Sequence, residues 1–314
     1  MKAFLKLLSL TIVALIMVVH VGVAQKQKVI LDTDIGSDID DTFAVALLLS
    51  SPEFEVLGIV TDYGNTPKRA NIVCKMLYET GNEDIPVLVG EKTNDHYDSQ
   101  FHWAEGFDKI TPIEQSGSDF IIEKLQQYPN EVILFTVGPV TNIGNVVEKN
   151  PDALKKAKHI YSMFGSFYMG YGKHPVPSAE WNVRADADAS QKMASAGADI
   201  TYAGLDVTTF VKLEEDRRLE LLMRQSPLTD ALSGLYTLWP HETPTLYDPV
   251  AIGMYLWPEL FNTRKAHVEV TEEGYTVIDE SKESNAEIGM SINKGEFLDR
   301  IMKRLLEQNM TRND

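Results

Sequence analysis

The sequence predicts an α/β fold: an open, mostly parallel sheet with helices on both faces and a β-hairpin near the C-terminus. Three observations carry this. From residue 28, short β-rich runs alternate with amphipathic helical runs. The strand runs are almost continuously apolar, as expected of strands covered on both faces. Near the end, HVEVTEEGYTVIDE alternates apolar and polar residues around Glu273-Gly274, the pattern of two strands joined by a tight turn.

Taken in order, strands are expected at 29–32, 56–61, 87–89, 132–136, 160–164 and 200–205. Helices are expected between them at 42–49, 67–79, 119–127, 142–148 and 188–196, each with apolar residues at helical spacing. Residues 91–117, including NDHYDSQFHWAEGFDK, lack periodicity and are expected to form a long loop that is functional or mobile. The chain has no internal repeat and no linker-like stretch.

The first 24 residues stand apart. Lys2 and Lys6 precede an apolar run from Leu7 to Val23, and Gly22 and Ala24 occupy the small positions of a cleavage site. A secretory leader is expected, and with it a protein exported to the periplasm or medium. A membrane anchor is the rival reading, which His20 within the run disfavours. Residues 25–314 are then one domain, with no membrane segment after cleavage.

With 44% hydrophobic and 24% charged residues, the 314-residue chain has the composition of an ordinary globular protein. Its net charge of −17 argues against binding nucleic acid or an anionic membrane. Loss of a leader with two lysines and no acid makes the remainder more negative still. Cys74 is the single cysteine, so neither an intramolecular disulfide nor a cysteine zinc site is available. It lies in a helical pattern and reads as a small core residue.

The stretch VILDTDIGSDIDD (29–41) is the most informative. A buried strand runs into Asp32, Asp34, Asp38, Asp40 and Asp41, and an apolar helix follows. Helix capping accounts for Asp40 and Asp41 alone. Five acids in ten residues raise one another's pKa and call for a shared cation. Oxygen-rich clusters suit Ca²⁺ or Mg²⁺. An EF-hand is excluded, because its turn-glycine and bidentate-glutamate places hold Ser37 and Phe43. A phosphatase with a strand-end DxD motif is a second rival, disfavoured by Ile35-Gly36 after LDTD.

ILDTDIG…DDTFAVALLL resembles the opening of the inosine–uridine-type nucleoside hydrolase family. GNTPKRAN, DFIIEKLQQYPNEVILFTVGPVTNIGNVV, AEWNVRADADAS, GLDVT and YDPVAIGMYLWPELF resemble its later landmarks in order, from about residue 28 to residue 262. The resemblance implies the nucleoside hydrolase fold and Ca²⁺-dependent hydrolysis of the N-glycosidic bond of ribonucleosides, giving ribose and free base. It implies Asp34, Asp41, Asp248 and the Val137 carbonyl as calcium ligands, with Asp34 also the general base activating a metal-bound water. It implies Asp40 and Asn65 as ribose contacts and Glu180 with Asn182 as the grip on the 5′ side. Trp181 replaces the usual Phe and packs under the sugar or fills the core. A homo-oligomer, dimer or tetramer, is also implied.

Three departures bear on the chemistry. The spacing from Gly36 to Asp40 is longer than the family pattern, an insertion that leaves Asp38 without a role. The His often found before the last ligand, associated with protonating the leaving base, is Tyr247 here, a weaker acid than His. The Asn expected six residues before Glu180 is His174. His174, Tyr247, His102 and His241 are therefore the leaving-group candidates, and His102 is a candidate substrate contact. The alternative to an enzyme is a non-catalytic periplasmic receptor for nucleosides or ribose on the same fold.

Overall fold

The computed structural model describes residues 25–313. The leader reading concerns residues outside this range. Eleven strands are present among the described residues. They are β1 (Gln27–Thr33), β2 (Phe54–Thr61), β3 (Val87–Val89), β4 (Ile113–Ser116), β5 (Val132–Thr136), β6 (His159–Met163), β7 (Ile200–Ala203), β8 (Phe261–Ala266), β9 (Val268–Val270), β10 (Thr276–Ile278) and β11 (Ala286–Ile292). Nine form one sheet in the order β4-β3-β2-β1-β5-β6-β7-β11-β8. Neighbours pair in parallel except β11 with β8. β9 and β10 form the separate antiparallel hairpin expected around Gly274.

Alternation along the central strands explains the two layers. Val29 and Leu31 of β1, with Ile133 and Phe135 of β5, face one buried cluster; Ile30, Val132 and Leu134 face the other. Each such side chain contributes about 1.5–3 kcal/mol on leaving water. Helices cover both faces: α1 (Asp40–Leu49), α2 (Thr66–Glu79), α3 (Gly117–Gln127), α4 (Thr141–Lys149), α5 (Trp181–Ala185), α6 (Ala187–Ser195), α7 (Leu205–Thr208), α8 (Glu215–Arg224), α9 (Pro227–Leu238), α10 (Tyr247–Leu256) and α11 (Lys294–Glu307).

All six expected strands and five expected helices are present, with small shifts at their ends. Expected strand 200–205 stops at Ala203, because Gly204 precedes the short helix α7. The loop at 91–117 holds a 3₁₀ turn at Ser99–Ala104 and the edge strand β4. β4 is mostly exposed and so lacked an apolar signature. Strand β8, also at an edge, is largely polar for the same reason. Cys74 is buried in the core, and burial pushes its thiol up to about 12, which leaves it unreactive. No helix among the described residues is long and apolar enough to cross a membrane.

Two features place the site. The strand order reverses between β1 and β5, so a crevice opens beyond their carboxyl ends. Helices α1 and α10 are apolar on all sides and almost wholly buried, yet each begins with acids: Asp40 and Asp41 in α1, Asp248 in α10. Buried helices of this kind form only inside a large core. Their N-terminal dipole ends favour negative charge where the two helices meet the crevice.

Candidate active site

One cavity at the crevice is lined by Asp34, Ser37, Asp38, Asp40, Asp41, Val137, Met163, Tyr171, Glu180, Trp181, Asn182, Tyr247 and Asp248. Strand ends and helix starts supply almost all of it, so residues more than 200 positions apart share one wall.

Asp40, Asp41 and Asp248 each offer a carboxylate oxygen within 4.8 Å of the others, and all three are buried. Burial, and then the mutual repulsion of these acids and Asp34, holds each well above the usual carboxylate range. The Thr33 hydroxyl donates to Asp41 Oδ1 at 2.5 Å, which opposes the rise for that group. Asp34 is also raised by burial, with the Arg69 guanidinium opposing. Asp38, partly shielded, is raised by burial and eased by the Ile39 N–H that donates to it and by His241.

Arg69 is the cation that the described residues set against this cluster. One guanidinium nitrogen lies 3.8 Å from Asp34 Oδ2. The same group donates to the Asp34 carbonyl, to the Ile35 carbonyl at 2.9 Å, to Tyr63 O at 2.8 Å and to Ser37 Oγ at 2.9 Å. It therefore fixes the turn after β1. One positive charge facing five carboxylates leaves strong uncompensated repulsion in a region of low dielectric.

A divalent cation fits the donor set. Its ligands are hard oxygens, and oxygens at about 2.3–2.6 Å from one Ca²⁺ lie at most about 5 Å apart, which the Asp40–Asp41–Asp248 spacing satisfies. That tightest trio contains Asp40 and not Asp34, although Asp34 borders the same cavity. The Val137 carbonyl already accepts from Asn182 Nδ2 at 3.0 Å, and its second lone pair remains for an ion.

The first aspartate of the motif has a different environment. Asp32 is fully buried behind the cavity, where its Oδ1 accepts from Asn142 Nδ2 at 2.7 Å. Burial pushes it up to about 7. Asp62, equally buried, is raised further by burial and by the Asp32 and Asp34 charges. Neither lines the crevice, and the Oδ2 atom of each is buried without a hydrogen-bond partner.

Of the residues expected at the site, Asp34, Asp40, Asp41, Val137, Glu180, Trp181, Asn182, Tyr247 and Asp248 line the cavity together. Trp181 is 45% exposed at the mouth, with Tyr63 edge-on at 6.2 Å, so it is not core filler. The lining does not include Asn65, His102 or His174. Asn65 precedes α2 and donates to Asp95 O at 3.1 Å, tying down the 91–117 segment. His102 is exposed on that segment and meets Glu105 at 3.1 Å. His174 is exposed, and its imidazole meets only the Val176 backbone. The left-handed Gly172 and Lys173 turn the chain before His174, so Tyr171 takes the inward place. Burial pushes the Tyr247 phenol up to about 12, which keeps it protonated.

Tyr171 and Arg69 are the residues that sequence reasoning missed. Tyr171 lies in an aperiodic Gly-rich turn, and Arg69 lies in the first turn of α2, where no local pattern points it at the acids. Only the polar, motif-like surroundings of each, FYMGYGKH and GNTPKRAN, gave any signal.

Buried acids at the switch point of a parallel sheet, beside amide, carboxylate and aromatic side chains, form a pocket of hard oxygen donors suited to a divalent cation. The family model for inosine-uridine preferring nucleoside hydrolase matches residues 29–299. The chain belongs to that family, and is an N-glycosyl hydrolase. It is 30% identical to uridine nucleosidase 1 of Arabidopsis thaliana over 277 residues, covering 80% of each chain. It is 28% identical to a pyrimidine-specific ribonucleoside hydrolase of Citrobacter koseri over 308 residues, covering 88% of this chain and 97% of the relative. A plant nucleoside hydrolase structure superposes with a TM-score of 0.80 at 24% identity, covering 90% of this chain and 99% of that one, and shows the same fold.

Gly138 provides a first test of the geometry. A Cβ there would lie 2.8 Å from Asp34 Oδ1 and 2.9 Å from Asp34 N. Gly138→Ala must therefore move Asp34, since the clash includes backbone. Displacing a reacting group by about 1 Å can cost about 10²-fold in rate. The expected result is a kcat reduced by about 10-fold or more in protein that still folds, with the melting temperature lowered by the overpacking. An unchanged kcat would show that Asp34 is not held by this contact.

Proposed function

We propose that the protein hydrolyses the N-glycosidic bond of ribonucleosides in a Ca²⁺-dependent reaction, giving ribose and free base. The observation that carries this reading is the single cavity that joins Asp34, Asp41, Asp248 and the Val137 carbonyl to Glu180, Trp181 and Asn182. Bound Ca²⁺ would offset the repulsion among the acids and polarise both a water and the sugar hydroxyls.

The chain's own residues account for the remaining work. Asp34 takes a proton as the water oxygen bonds to C1′ and the C1′–N bond breaks, with the bonding pair leaving on the base. The positive charge that develops on the sugar ring is stabilised by the surrounding carboxylates. Asp40 accepts from a ribose hydroxyl, while Glu180 and Asn182 hold the 5′ side. Trp181 covers the mouth. Tyr247, a neutral phenol in the cavity lining, is the proton donor to the departing base in this reading, and its high pKa makes it a slow one. Export behind a cleaved leader and assembly into a dimer or tetramer belong to the same proposal.

The test is incubation with a panel of purine and pyrimidine ribonucleosides, with and without a calcium chelator, scoring free base by chromatography. Release that stops on chelation and returns with Ca²⁺ is expected. Nucleoside binding without release from any member would overturn the hydrolytic reading and make the protein a receptor.

A further inference from the structure

We propose that Tyr171 is a positioning residue for Glu180 whose phenol hydroxyl occupies the donor-and-acceptor place that a substrate hydroxyl takes on binding. The proposal rests on the ribonucleoside reading above and names the gate at its 5′ side.

A carboxylate offers about four acceptor positions, and four donors surround Glu180. Oε1 accepts from Asn182 N at 3.0 Å and from the Tyr171 hydroxyl at 3.2 Å. Oε2 accepts from Gly165 N at 3.1 Å and Val183 N at 3.3 Å. A sugar hydroxyl can reach this group only by replacing one of them. Three are backbone amides. Two of those belong to the first turn of α5, which Glu180 caps, and the third to the left-handed turn at Gly165. Moving any of the three would unwind local structure.

Tyr171 is the one side-chain donor. It starts a single 3₁₀ turn, Tyr171–Lys173, whose Gly172 and Lys173 have φ of 63° and 69°. Its bond to Glu180 is long for a hydroxyl on a carboxylate, which is ordinarily about 2.5–2.7 Å. The same hydroxyl oxygen accepts from Trp181 N at 2.8 Å. Once the phenol swings away, Glu180 lacks a donor and Trp181 N lacks an acceptor. An alcohol supplies both at once. A phosphate ester or carbonyl oxygen supplies only the acceptor and would face the carboxylate unpaired. The gate therefore selects a free hydroxyl.

The test compares wild type with Tyr171→Phe, which keeps the ring packed against Tyr247 at 6.1 Å. Dissociation constants are measured by Trp fluorescence for a ribonucleoside and its 5′-deoxy analogue, with KM and kcat alongside. With no phenol to displace, the variant should bind the ribonucleoside about three- to tenfold more tightly and show a lower KM. It should gain nothing for the 5′-deoxy analogue. An equal change for both ligands, or a fall in kcat with KM unchanged, would overturn the assignment and leave Tyr171 a structural support. Tyr171→Met also lacks the hydroxyl and repeats the comparison should the Phe variant fail to fold. Binding is scored apart from base release. Wild-type protein that binds nucleosides without releasing base overturns the hydrolase reading, whereas a gain blind to the 5′ hydroxyl overturns the Tyr171 assignment alone.

Discussion

Asp34→Asn is expected to reduce nucleoside hydrolysis by about 10²–10⁴-fold, the range lost with a positioned general base. The change is nearly isosteric, so the fold should hold. The backbone contacts of Arg69 to residues 34, 35 and 63 do not depend on the Asp34 side chain. What disappears is a group able to accept the proton from the attacking water, together with one proposed ligand. Stability gives an independent reading. Removing one of several mutually repelling buried acids should leave the metal-free melting temperature unchanged or higher. Calcium affinity, measured by calorimetry, should fall. A variant that keeps more than about a tenth of wild-type kcat would remove Asp34 from the role of base.

Stripping the metal should produce the second large effect, and its sign depends on pH. Asp34, Asp40, Asp41 and Asp248 all have pKa values raised in the folded protein, mainly by burial. A raised acid binds its proton more tightly folded than unfolded, so its contribution is fully present below the unfolded value of about 3.9. It is lost as pH rises from there through the raised folded values of these acids. The chelated protein should therefore lose stability progressively as pH rises above about 4. Saturating Ca²⁺ should reverse this near neutral pH by favouring the ionised acids. Thermal melts across that range, with chelator and with Ca²⁺, are expected to diverge by about 5 °C or more at pH 7–8. Parallel curves would mean that the acids do not share an ion.

Much of this architecture was legible in the sequence because it depends on local patterns. Near-continuous apolar runs such as Val29–Leu31 can only be strands covered on both sides, and the helices between them force parallel pairing. The acids crowded between residues 32 and 41 stood out by charge density alone, whereas Asp248 was singled out only by the resemblance of YDPVAIGMYLWPELF to a family landmark. Edge strands β4 and β8 were not legible, since an exposed strand carries no hydrophobic period. His174 and Tyr171 lie three residues apart, and periodicity cannot say which one faces inward; the left-handed pair at 172 and 173 decided it.

The amino-acid order alone thus determined the class of fold and the acid-rich strand end, because hydrophobic period and charge density act over a few residues. Tertiary structure alone decided that Asp32 turns away to Asp62 and Asn142, that Arg69 braces the aspartate turn, and that Tyr171 closes on Glu180. These are contacts between segments distant in the chain or across irregular turns, and their direction depends on how the sheet packs rather than on any local repeat.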